Sequence, residues 1–194
     1  MRPQLYLPLL ALLSAVQVGA AVEFPSTSQP GKAQVSLTEK QATLGNELFT
    51  ATFGRTSGGV VFKGMKTADG KSLVRGGTDI FEERLADGTQ YSSADMKMSN
   101  LKSQDFKAVP GSVQLAPREP GKALTATFTA PDGSFRIKWR AVLRDGSHYL
   151  RQEFSVVAVK DVAFHSITPF PKLYAIVYYK RLFPARVLIL SCVC

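Results

Sequence analysis

The chain has 194 residues and carries 24 basic against 15 acidic side chains, a formal net charge of +9. Arg2 holds one of the excess charges and Lys180, Arg181 and Arg186 three more, which leaves +5 for residues 22–173. That remainder is spread along the chain with acids interspersed, so it does not form a nucleic-acid stripe, and two histidines and two cysteines are too few for a metal-rich module or a disulfide framework.

Residues 1–21 read as a secretory signal. Arg2 opens it, an apolar run spans Leu5 to Val16, and Val18-Gly19-Ala20-Ala21 supplies the small residues of a cleavage site after Ala20 or Ala21. The run is shorter than the roughly 18 residues a membrane span needs and Pro8 interrupts it, so no membrane span is expected after cleavage, a retained anchor being the alternative. The implied location is secreted or periplasmic. Residues 22–32 include the Pro-rich EFPSTSQPGK stretch, a linker.

Residues 33–173 read as one β domain. Ala33 to Leu37 and Thr43-Leu44 are short strands, Gly45-Asn46 is a turn, and Leu48 to Phe53 is the next strand. Gly58-Gly59 precedes a strand from Val60 to Lys66, and Asp69-Gly70 would close a hairpin that pairs Met65 with Val74. After Ile80 to Leu85, Asp87-Gly88 sits in a longer loop. Met96 to Leu101, Phe106 to Val109 and Val113 to Leu115 are further short candidates before the break at residues 117–121.

The most ordered pattern lies in residues 122–159, where two Asp-Gly pairs punctuate three alternating strands. A turn at Asp132-Gly133 sets Ala130 opposite Phe135, Phe128 opposite Ile137, Ala126 opposite Trp139 and Leu124 opposite Ala141. A turn at Asp145-Gly146 would set Trp139 opposite Gln152, Ile137 opposite Phe154 and Phe135 opposite Val156. The same residues of the central strand are apolar in both pairings, so the meander has one buried face. That face needs a covering layer, and the prediction is an all-β, antiparallel β-sandwich. Val162 to Ile167 adds a strand. No sustained helical period occurs outside the signal.

Residues 174–194 differ: they hold no glycine and no acid, contain both cysteines, and lose the alternation. The preferred reading is an atypical tail not native to the domain, from a shifted frame or an early stop; the alternative is a final strand and surface segment.

No constellation of residues announces a reaction. His148 and His165 lie in no tight ligand motif, no GxSxG elbow or GxxxxGK loop occurs, and Glu82 and Glu83, adjacent on a strand, point to opposite faces and cannot pair with each other. Asp79 and Asp95 are the other carboxylates within reach of a shared site. No catalytic residue, metal ligand or cofactor is assigned, and carbohydrate-binding residues stay open. Trp139 reads as a core residue whose indole N–H finds a carbonyl or Gln152, with a sugar-stacking platform as the alternative. The outward face of the meander carries Thr125, Thr127 and Thr129 beside Arg136, Lys138 and Arg140, then Arg151, Glu153 and Ser155. It is a solvated face, or else an anion-binding or docking surface. The expected register places Lys138 opposite Glu153 and Arg140 opposite Arg151, the second pair unfavourable.

The chain also resembles a known family. Val35-Ser36-Leu37, then Leu44-Gly45-Asn46-Glu47-Leu48 leading to Thr52-Phe53, the Gly58-Gly59 turn, residues 81–88 (FEERLADG), Ser92-Ser93-Ala94-Asp95-Met96 and residues 148–157 (HYLRQEFSVV) are similar to the N-terminal β-supersandwich, of galactose-mutarotase-like fold, in secreted α-galactosidase-like glycoside hydrolases. The resemblance implies a noncatalytic module that packs on a (β/α)₈ barrel missing from this chain, whose two aspartates have no counterpart here. It implies an incomplete sandwich with an unpaired edge, carbohydrate as the ligand class, and no enzyme activity by itself. Two alternatives stand beside it: a stand-alone exported carbohydrate-binding or interaction module, and a mutarotase-like sugar epimerase using His148 or His165 with Glu153.

Overall fold

The computed structural model describes residues 28–171, together with the backbone of two strands at 176–181 and 187–193. The expected signal at residues 1–21 and most of the expected linker lie outside the described residues, as does Cys194.

The fold is an antiparallel, all-β sandwich. The first five strands, β1 (Gln34–Leu37), β2 (Gln41–Gly45), β3 (Phe49–Arg55), β4 (Val60–Thr67) and β5 (Ser72–Asp79), form one sheet in chain order. β6 (Phe81–Leu85) and β7 (Gln90–Ser92) join β12 (Phe164–Pro169) in a three-stranded sheet ordered β12-β6-β7. The large sheet runs β13-β14-β11-β10-β9-β8, from β8 (Lys97–Phe106), β9 (Gly121–Thr129), β10 (Phe135–Arg144) and β11 (Arg151–Ala158) to β13 (Ile176–Arg181) and β14 (Val187–Val193). The tail therefore supplies backbone that continues the ladder on β11.

Side-chain size explains how the layers close. On β10 the inward residues Phe135, Ile137, Trp139 and Ala141 are all fully buried, and small residues of β9 oppose the large ones, Ala126 facing Trp139. The five-stranded sheet reaches the large sheet through the Phe53 ring, 5.3 Å from Trp139 and edge-on to it. The three-stranded sheet does so through Phe81, which meets Phe128 at 5.1 Å and Phe154 at 5.6 Å. Such edge-to-face aromatic pairs add about 0.5–1.5 kcal/mol each to the apolar burial itself. Only Ile80 separates β5 from β6, so the chain passes directly from one small sheet to the other beneath the large one.

The first hairpin of the meander has the expected register: Ile137 pairs with Phe128, Trp139 with Ala126 and Ala141 with Leu124. Its turn is closed by the Gly133 N–H donating to the Ala130 carbonyl at 2.9 Å, with Gly133 at φ 70°, a value that favours glycine. The second hairpin is shifted by two residues, with Trp139 opposite Phe154 and Ile137 opposite Val156. Distant chain holds the loop before β11 open. Gly146 N–H donates to the Gly31 carbonyl at 2.9 Å, the Asp145 carboxylate accepts from Ala33 N–H at 2.8 Å, and Asn46 Nδ2 donates to the Ser147 carbonyl at 2.8 Å. A shift of two keeps every side chain on its own face, which is why the buried set is unchanged.

Elsewhere the Met65–Val74 pair forms as expected. The candidate at Met96 to Leu101 falls, from Lys97 on, in β8, which continues to Phe106 and turns its side chains through a bulge between Ser99 and Lys102 where Asn100 takes φ 56°. Of the candidate at Phe106 to Val109 only Phe106 is strand, and residues 107–109 are loop. Val113 to Leu115 is loop: Val113 is 96% exposed, having no sheet to pack on. The short β7 was not anticipated from sequence.

Candidate functional site

The outer face of the large sheet is built from register and alternation. Because inward positions of β9 to β11 are apolar, the intervening positions must point away, and antiparallel pairing aligns them in rungs. One rung runs Lys97, Thr129, Arg136 and the next Ser99, Thr127, Lys138, Ser155; past the bulge follows Lys102, Thr125, Arg140, Glu153. Successive rungs are roughly 6.5–7 Å apart and neighbouring strands about 4.8 Å. A row of hydroxyls on β9 thus lies between cations of β8 and β10.

The two-residue register shift changes the electrostatics of this face. Arg140 now faces Glu153, where the unshifted pairing would set it against Arg151. Arg140 Nη2 donates to Glu153 Oε2, and Arg151 Nη2 lies 2.6 Å from Glu153 Oε1, so one carboxylate bridges two guanidiniums. Partial burial of the carboxylate strengthens that bridge relative to a fully wetted pair. Further along β10, Arg144 stacks over the Phe106 ring at 4.6 Å and Arg140 stands 5.7 Å from it. Burial and the nearby Arg151 and Arg140 lower the Arg144 pKa, although Glu153 opposes that change. By contrast, Lys97, Lys102, Arg136 and Lys138 are exposed and make no ion pair among the described residues. A shallow hollow of about 270 Å³ opens on this face beside Lys138, Arg140, Glu153 and Ser155.

The remaining residues singled out from sequence do not converge. Trp139 is 0% exposed and donates from Nε1 to Gln152 Oε1 at 2.7 Å, which corrects the sugar-stacking alternative: a buried indole offers no face to a ligand. His165 lies exposed on β12 of the three-stranded sheet, its Nδ1 3.2 Å from Ser166 Oγ, across the sandwich from Glu153. His148 is drawn to the Ser28 carbonyl, 3.3 Å from its Nε2, while Glu153 is held by arginines. Asp95 accepts the Ser92 N–H at 2.8 Å. Glu82 is exposed and Glu83 buried, on opposite faces as expected.

Glu83 is the group whose chemistry sequence reasoning missed. It is 2% exposed, between the buried Phe81 and Leu85, its Oε2 without a hydrogen-bond partner. Burial pushes its pKa up to about 8, because an ionised carboxylate without water or a cation is costly in an apolar layer. The alternation Phe81-x-Glu83-x-Leu85 was the available signal. A second, polar hollow of about 300 Å³ lies at the sandwich rim, lined by Asp87, Thr89, Tyr91, Asp132, Lys160 and Asp161. Its Lys160 is already donating to the Asp132 carbonyl at 3.0 Å, and hydrogen bonds from Ser134 lower the Asp132 pKa.

Among the described residues no group of three or more His, Cys, Asp or Glu is placed to hold a metal ion, and no helix is long and apolar enough to cross a membrane. Protein-family models, curated proteins and solved structures were all compared with the chain, and none matches.

Proposed function

We propose that this chain is a noncatalytic β-sandwich module of an exported α-galactosidase-like glycoside hydrolase, serving to support or present substrate to a catalytic barrel carried elsewhere. One observation carries the reading: the polar residues of the motifs behind the resemblance are engaged in holding loops. Asn46 accepts from the Leu48 N–H at 3.0 Å while donating to the Ser147 carbonyl. Asp87 accepts the Thr89 N–H at 2.8 Å, Ser93 Oγ the Ile80 N–H at 2.9 Å, and Asp95 the Ser92 N–H. Side chains tied into Asx turns and strand-end bonds build a scaffold, and Asp87, the one of them that borders the polar hollow, is itself held by the Thr89 N–H.

A stand-alone exported binding module is the second reading, favoured by the unpaired cations of the outer face. Three measurements on the purified chain separate the possibilities. The module reading expects no release of aryl alcohol from an aryl α-galactoside and no acceleration of galactose anomerisation by polarimetry. Turnover of the aryl galactoside overturns it, and catalysed anomerisation transfers the chain to the epimerase class. Calorimetric titration with galactosides then tells a sugar-holding module from a purely structural one.

A further inference from the structure

Four cations on one face, none of them neutralised among the described residues, are a costly arrangement to keep by accident of solubility, since like charges on neighbouring strands repel. The five-stranded sheet also carries threonines beside cations, but there Lys63 and Lys66 on β4 stand on one side only of the β3 residues Thr50 and Thr52, whose other neighbour strand, β2, presents Thr43. On the large sheet Lys97 and Arg136 flank Thr129, and Lys102 flanks Thr125 on the side away from Arg140. Cations two strands apart are therefore separated by about 10 Å, with a hydroxyl midway.

The chemistry of that surface selects among polyanions. Single-stranded nucleic acid is gripped by aromatic platforms as well as by charge, and among the described side chains of this face the aromatic ring, Phe106, lies beneath Arg144 and Arg140. A protein interface of ordinary stability has an apolar, charge-depleted centre; here the centre is Thr127 beside Lys138. A linear sugar chain bearing acid groups matches both features, its anions meeting the ammonium and guanidinium groups and its hydroxyls the threonine row.

We propose that the outer face of β8–β10 binds an acidic polysaccharide, with Lys97, Lys102, Arg136 and Lys138 holding its anionic groups and Thr125, Thr127 and Thr129 meeting its hydroxyls. The site is independent of the glycoside hydrolase reading, because it rests on charge and register alone. Binding is electrostatic at its core, so it weakens as ionic strength rises.

The test uses the full chain in calorimetric or gel-retardation binding to polygalacturonate, heparin, an uncharged galactan and poly-dT. The expected result is binding to polygalacturonate, heparin or both, weakened by added salt, with the two arms showing whether carboxylate or sulfate is the preferred anion. The double variant Lys97→Gln/Lys138→Gln is expected to lose affinity at least about tenfold, while Lys63→Gln/Lys66→Gln on the other sheet retains it; both should keep the wild-type circular dichroism spectrum, the altered side chains being exposed. A second double variant, Lys102→Gln/Arg136→Gln, carries the same expectation and guards against a folding defect in the first. Absence of binding to both acidic polymers overturns the proposal, as does equal loss in the Lys63/Lys66 control or tighter retention by poly-dT than by either polysaccharide.

Discussion

The inner and outer faces of the large sheet share a backbone and follow opposite rules. Along β10, Phe135, Ile137 and Trp139 are sealed against two other sheets, whereas Arg136, Lys138 and Arg140, the residues between them, face water. Inside, shape is fixed by neighbours: Trp139 has Phe53 at its edge, Ala126 beside it and Gln152 on its indole nitrogen. Outside, among the described residues, charge is fixed where Glu153 bridges two arginines and where Arg144 lies on Phe106 and donates to the Glu119 carbonyl. The difference teaches where specificity can be altered without unfolding the chain, since an outer side chain can change with little cost to the core while an inner one cannot.

The largest break in that contrast is expected from Trp139→Ala, which removes the biggest buried side chain and strands Gln152; denaturant unfolding should show a loss of about 3–5 kcal/mol. A loss below 1 kcal/mol would mean that the two layers are not packed through this residue. Next comes Glu83, a charge-bearing side chain on an inner face. With its folded pKa at about 8 against an ordinary 4.5, the native state retains a proton that the unfolded chain releases. Stability is therefore undiminished by this group below pH 4.5, declines as pH rises through the interval, and is lowest above pH 8. Glu83→Gln should flatten that decline and exceed wild type by a few kcal/mol at pH 9; parallel pH profiles for the two proteins would contradict the assignment.

Asn46→Ala, at the tie between the β2–β3 turn and the β10–β11 loop, is expected to cost about 1–2 kcal/mol. Coupling with Asp145→Ala in a double-mutant cycle would show that the two act on one loop, and strict additivity would show that they do not. At the small end, Lys138→Ala should shift stability by no more than about 0.5 kcal/mol while weakening polyanion binding. A large destabilisation there would erase the contrast between the faces.

How much of this was legible follows from the range of each interaction. Pro131-Asp132-Gly133 encodes its own turn, so the register of β9 on β10 could be read from local residues. Asp145-Gly146 has the same local signature but is captured by Gly31, Ala33 and Asn46, segments about a hundred residues away, and no local rule anticipates that. The error was one of pairing, and period two protected the choice of face. The outer patch was visible on β9, β10 and β11 as a list of residues. Its extension to Lys97 and Lys102 depended on the Asn100 bulge, and the Glu153 bridge on the shifted register. Glu83 was hidden because an acid among Phe81 and Leu85 is read first as a strand-surface residue, whereas it shares the inward face on which Phe81 packs against the large sheet.

The two smaller sheets share no ladder with each other; each is fastened to the large one chiefly by aromatic contacts, Phe53 on one side and Phe81 on the other. These two leaves of the sandwich also touch each other, the Phe62 ring of β4 lying 4.4 Å from that of Phe170 just past β12, and the Phe170 N–H donating to the carbonyl of Ile80 at 2.9 Å, so opening one strips contacts from the other. Native-state amide exchange should show the two leaves opening as coupled units, and release of protons from the β12-β6-β7 leaf alone would contradict that coupling.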